Sequence, residues 1–135
     1  MGDCIFCKIA AGEIPSATLY EDEDFRVILD LGPASKGHSL ILPKAHYANL
    51  LEIPEDLAAK AFLLAKKMTI KMVPALKADG MNVVQNNGEA AGQTVFHFHM
   101  HLIPRYAGDD AGFGWKVGKL TDEVKEEIVS ALKEQ

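Results

Sequence analysis

Apolar residues recur along this chain with two different periods, and the points where the period changes mark the elements. Ala17-Thr18-Leu19-Tyr20 and Phe25-Arg26-Val27-Ile28-Leu29-Asp30 read as two strands joined by the acidic turn Glu21-Asp22-Glu23-Asp24, and residues 37–43 read as a third. From Pro54 the spacing lengthens. Leu57, Ala61, Leu64, Met68 and Met72 follow one helical stripe, and Phe62, Leu63, Ile70 and Val73 make a second. Proline in the first turn, followed by Glu55 and Asp56, suits a helix start. Pro74 is expected to kink or end the helix near Val73, since it removes a backbone bond and crowds the carbonyl of Ile70. Asp79-Gly80 is expected to close the element, with Met81–Asn86 as a fourth strand. Lys8–Gly12 reads as a short helical turn closed by glycine. Thr121-Asp122-Glu123 caps a last helix with Val124, Ile128 and Leu132 on one face, after a glycine-rich section around Phe113 and Trp115.

The most regular alternation lies at residues 94–104. His97, His99 and His101 alternate with Phe98, Met100 and Leu102, and Pro104 stops the run. A strand places every second side chain on one face, so this predicts a fifth strand with three imidazoles about 6.6 Å apart along one side. Strands in neighbouring pairs, with one long helix inserted, favour an α+β fold with an antiparallel sheet.

Composition narrows the classes. A chain of 135 residues suits one domain, 1–135, with a core at about 4–106 and a tail and helix at 107–135. The net charge of −5 argues against a nucleic-acid surface. No run approaches the ~18 apolar residues of a membrane span. The first residues lack the basic and apolar segments of a signal peptide, and two cysteines only three apart suit a reducing compartment, so the cytoplasm is expected.

Three aligned imidazoles suit either a metal or nucleophilic attack on phosphorus. The preceding segment, Asn86-Asn87-Gly88-Glu89-Ala90-Ala91-Gly92-Gln93-Thr94, favours phosphate, because such a loop can turn backbone N–H groups toward an anion. Cys4-Ile5-Phe6-Cys7 is compatible with a redox motif, half a zinc site or two buried thiols, with His46 and His97 as candidate further ligands. Asp30 ends an apolar strand at a loop, as a turn residue or a binding carboxylate. No Walker-type phosphate loop and no acidic pair suited to magnesium is present, so no catalytic metal is expected.

His97-Phe98-His99-Met100-His101-Leu102-Ile103, preceded by Gly92-Gln93-Thr94, resembles the histidine-triad (HIT) family, and the resemblance extends over nearly all of residues 4–106. It implies a five-stranded antiparallel sheet with one long helix and a C-terminal helix, in a homodimer that joins two sheets. It implies structural zinc on Cys4, Cys7, His46 and His97. It places Asp30 on the ribose hydroxyls of a purine nucleotide, with Leu31, Ile28, Phe6 and Ile14 around the base. Asn86, Gly92, Gln93, Thr94 and His101 would hold the phosphate, His99 would attack it, and His101 or Thr94 would protonate the leaving group. His38 would lie behind the triad and fix the tautomer of His99 through a hydrogen bond. The implied reaction is hydrolysis or transfer at the α-phosphate of purine nucleoside phosphoramidates or related adenylates, releasing AMP or GMP. A dinucleoside polyphosphate hydrolase and a nucleotide-binding regulatory module with little turnover are the alternatives. Neither nucleic acid nor membrane is an expected partner.

Overall fold

The computed structural model describes residues 3–133, so the outermost residues of the expected 1–135 domain lie outside it. Element order is α1 (Ile5–Ala10), β1 (Thr18–Glu21), β2 (Phe25–Leu29), β3 (Ser39–Pro43), α2 (Glu55–Leu76), β4 (Gly80–Val84), a 3₁₀ turn (Glu89–Ala91), β5 (Met100–Arg105) and α3 (Asp122–Lys133). The strands form one five-stranded antiparallel sheet in the order β1-β2-β3-β5-β4. The α+β class and the five-stranded sheet are as expected. Among the described residues no helix is long and apolar enough to cross a membrane.

Alternation along the strands divides the sheet into two faces. Phe25, Val27, Ile41, Met100 and Leu102 pack against Ala61, Leu64, Ala65, Met68 and Met72 of α2 in the larger core. Ile28, Leu40 and Leu42 point the other way and pack with Ala10 under α1, where Phe6 and Ile9 close a smaller cluster.

Several boundaries differ from expectation. The first helix starts three residues before the expected turn, because Cys4 serves as its N-cap and Cys4 Sγ accepts the Cys7 N–H at 3.3 Å. α2 continues through Pro74 to Leu76, since a proline so near the end costs only one bond in the last turn. It is closed by Lys77 in the left-handed conformation (φ 56°), whose N–H bonds Pro74 O, rather than by Asp79-Gly80.

The expected fifth strand over 94–104 begins only at Met100. β3 pairs with β5 as Ser39–Leu102, Leu40–His101 and Ile41–Met100, and the ladder stops as it nears Pro43, which has no N–H to donate. Phe98 N–H instead donates to Tyr47 O at 2.6 Å. His97 and His99 thus lie on an unpaired approach to the strand, though Phe98, Met100 and Leu102 still share the α2 side.

α3 forms where the capping pattern places it, with Thr121 Oγ1 accepting Val124 N–H at 3.3 Å, and it buries none of its residues.

Candidate active site and metal centre

Each histidine of the triad is oriented by a group that can act in only one sense. Pro43 carbonyl can only accept, so at 2.8 Å it holds the proton of His97 on Nε2. His97 Nδ1 is left with its lone pair facing Cys4 Sγ and Cys7 Sγ, both at 3.4 Å, and His46 Nδ1 at 3.2 Å. Cys7 Sγ also lies 3.2 Å from His46 Nδ1. Tetrahedral zinc with bonds of ~2.0–2.1 Å to nitrogen and ~2.3 Å to sulfur sets its ligands roughly 3.3–3.8 Å apart, so this donor set and spacing fit such an ion. The expected Cys4, Cys7, His46 and His97 are thus gathered where they could bind a metal. Burial and the adjoining Cys4 raise the Cys7 thiol to about 11, and a bound cation is what would release that proton.

His99 Nδ1 donates to the carbonyl of His97 at 2.8 Å, leaving the lone pair on Nε2. Burial lowers its pKa, which favours the neutral ring. Phe6 of α1 stands edge-on to it, with ring centroids 5.0 Å apart, and His101 flanks it at the same centroid distance.

The third histidine is set by a longer chain. The backbone N–H of Ala34 donates to His38 Nδ1 at 2.9 Å, so neutral His38 carries its proton on Nε2. That proton points at His101 Nδ1, 2.9 Å away, and His101 therefore carries its own proton on Nε2. Burial, with His99 and His38 beside it, pushes His101 down to about 4. This corrects the expected contact of His38: it meets His101, while the tautomer of His99 is fixed by a backbone carbonyl. Asp30 Oδ2 lies 3.5 Å from His38 Nε2, and its Oδ1 accepts Gly32 N–H at 2.8 Å. Asp30, His38 and His101 are close enough to suggest a second metal site, but the Ala34 N–H keeps a proton on the His38 nitrogen that would have to be a ligand.

A cavity of about 400 Å³ opens against these groups. Asp30, Leu31, Thr94, His99 and His101 line it, and Phe6, Ile14 and Ile28 add apolar wall. Asn86, Gly92 and Gln93 are not in that lining. Gln93 is buried and spent on backbone contacts, donating to Ala48 O of the β3–α2 connection at 2.7 Å and Val95 O at 3.1 Å and accepting Gly88 N–H at 2.8 Å. Gly92, at φ 94°, closes the 3₁₀ turn beside the amide of Asn86. Sequence reasoning missed Ile5, Ile9, Pro15, Ser16 and Ala17 in the lining. Ile5 and Ile9, four apart on α1, were the available signal.

The HIT domain model matches residues 11–108. The chain belongs to the HIT family. Its matched HIT segment holds the triad and the cavity's polar residues, while the two cysteines precede it. Among HIT relatives, the protein named hit of Bacillus subtilis is 48% identical over 115 residues, 84% of this chain and 79% of that protein. An adenylylsulfatase of Arabidopsis thaliana is 47% identical over 107 residues, 79% of this chain and 54% of its own length. An adenosine 5'-monophosphoramidase of Candida albicans is 41% identical, covering 98% of this chain and 95% of its own. The activities named for these last two are hydrolytic. Among solved HIT structures, SMU.412c from Streptococcus mutans superposes with TM-score 0.94 at 42% identity, covering 99% of this chain and 85% of that one. A zinc-bound histidine triad family protein from Mycobacterium smegmatis superposes with TM-score 0.79 at 36% identity, covering 98% and 95%.

Proposed function

We propose that this protein is a hydrolase acting at the α-phosphorus of purine nucleoside phosphoramidates and related adenylates through a nucleotidyl-His99 intermediate. The observation that carries the reading is the fixed tautomer of His99: its Nδ1 proton is held by His97 O, so a neutral Nε2 lone pair is available beside a cavity that also presents Asp30. Asp30 binds the ribose hydroxyls, the apolar wall of Phe6, Ile14, Ile28 and Leu31 takes the base, and Thr94 and His101 hold the phosphate. Asn86, Gly92 and Gln93 shape the loop that carries Thr94.

His99 Nε2 attacks phosphorus, and the phosphorus–nitrogen bond of a phosphoramidate breaks as the leaving nitrogen takes up a proton. The bound phosphate's negative charge raises the proton affinity of His101, which takes a second proton from solvent on Nδ1 as the His38 Nε2–H turns its hydrogen bond to the Asp30 carboxylate 3.5 Å away; the resulting imidazolium donates from Nε2 and is left neutral. Water then attacks the intermediate, returns a proton to His101 and breaks the His99–phosphorus bond, releasing AMP or GMP. Splitting one displacement into two is the usual gain of covalent catalysis.

The metal of Cys4, Cys7, His46 and His97 is zinc in this reading; four protein ligands close the site, so its role is structural. The chain acts as one domain, in the cytoplasm, as a homodimer. Phe62 and Ile70, 63% and 64% exposed on α2, and the edge strand β4 supply surface for a second copy.

Intact-protein mass spectrometry after brief, quenched exposure to adenosine phosphoramidate tests the proposal. The expected result is a nucleotidyl adduct that maps to His99 and is absent from His99→Ala. Hydrolysis without any adduct, or near wild-type hydrolysis by His99→Ala, would overturn the covalent mechanism.

A further inference from the structure

α1 is six residues long, too short to be stable alone, and it buries only Ala10 fully. What anchors its start is the pair Cys4 and Cys7, directed at His46 and His97. Yet α1 is a wall of the nucleotide cavity, through Ile5, Phe6 and Ile9. Phe6 stands edge-on to both His97 and His99, at centroid distances of 6.2 and 5.0 Å. The metal cluster and the nucleophile also share a residue: the ring of His97 faces the sulfurs while its carbonyl holds His99. Whatever loosens the cysteines loosens the pocket wall and the support of His99 together.

The two sulfurs lie within 4.8 Å of one another on half-buried residues three apart, so a small movement brings them to bonding distance. We propose that Cys4 and Cys7 form a reversible oxidation site, and that closing their disulfide expels the metal and weakens nucleotide binding in the adjoining cavity. The proposal rests on the zinc and nucleotide assignments above. In the forward step one thiolate attacks the peroxide O–O bond, giving a sulfenic acid and a hydroxide that solvent protonates to water. The second thiolate attacks that sulfenic sulfur and displaces a second hydroxide, likewise protonated to water. Two electrons pass from the two sulfurs to the peroxide. The sulfurs close to the roughly 2.05 Å of a disulfide, leaving two imidazoles that cannot complete a tetrahedral zinc site. A dithiol reverses the step by exchange.

Linkage makes the coupling reciprocal: if metal occupancy strengthens nucleotide binding, bound nucleotide must strengthen metal retention by the same factor. The full chain, loaded with zinc, is treated with hydrogen peroxide. Free thiols, intact mass, zinc released to a chromogenic chelator and calorimetric AMP binding are followed together. The expected result is loss of both thiols with loss of two hydrogens by mass, release of one zinc, and AMP affinity lowered by about tenfold. Dithiothreitol and zinc should restore all of it, and AMP should slow the release. Reduced protein stripped of zinc by a chelator is the second arm, needing no substitution, and should show the same weakened AMP binding. Unoxidised protein that takes up no zinc or no AMP would defeat the functional assignment. Protein that binds both, yet keeps its AMP affinity after disulfide closure or keeps its zinc under peroxide, would overturn this inference alone.

Discussion

On the α2 face of the sheet, Phe25, Val27, Ile41, Met100 and Leu102 meet a long helix in a dry, apolar core. On the α1 face, one strand position away along the same chain, His99, His101 and Asp30 line a cavity walled by a helix of six residues, with the Cys4, Cys7, His46 and His97 cluster beside it. Stability and chemistry are thus assigned to opposite sides of the same strands, and β5 serves both: Met100 and Leu102 face the core while His101 faces the site. Substitutions on the two faces should fail differently.

The largest separation comes from His99→Ala, which should cut phosphoramidate hydrolysis by on the order of 10³-fold or more while leaving the melting temperature and AMP binding close to wild type. A few-fold loss would return the catalytic face to mere binding. Leu64→Ala should do the reverse, lowering stability to urea by about 2–5 kcal/mol through lost burial and a cavity, with the turnover of folded molecules unchanged. Asp30→Asn should weaken AMP by about tenfold and erase the preference for ribose over 2′-deoxyribose, since a charge-assisted hydrogen bond contributes roughly 1.5–3 kcal/mol. Equal discrimination by wild type and variant in calorimetry would make Asp30 a turn residue. Lys77→Gly, at the left-handed cap of α2, should raise stability by about 1 kcal/mol without touching kinetics.

Acid should also distinguish the faces. Burial lowers the pKa of His38 and takes His101 from 6.5 to about 4. Between those values the unfolded chain binds protons that the folded chain refuses, so stability falls as pH drops from about 6.5 toward 4 and is unaffected by these groups above that window. Thermal melts across pH 4–8 read this directly. Over the same range kcat/KM should not decline at 6.5, because burial also keeps His99 neutral below its ordinary value; a decline centred there would show an exposed nucleophile.

Periodicity carried the fold. The stripes of α2 and the alternation of Phe98, Met100 and Leu102 report burial directly, because side chains repeat as the backbone does. Termini were less legible, since Pro43 and Tyr47 end the β5 ladder through contacts distant in sequence. In the site, residue type indicated the triad, the cysteines and Asp30, but not the direction of each contact. An amide such as Gln93 serves a phosphate or neighbouring backbone equally well by composition, and only the positions of Ala48 O and Gly88 N decide. Likewise, nothing in the chain's order pairs His38 with His101 rather than His99; the register of Leu40 with His101 does.

The placement of β5 between β3 and β4 has a consequence for the order of assembly. β1, β2 and β3 can pair through local connections, and β4 with β5 through one loop, but β3 meets β5 only across the whole of α2 and β4. Closing that long loop carries the largest entropic cost of these pairings. Until it occurs, Cys4 and Cys7 are apart from His97, and His38 is apart from His101. A chain in which that pairing is open therefore has neither its candidate metal ligands gathered nor its histidine protons assigned, and the candidate site is complete only when β3 and β5 pair.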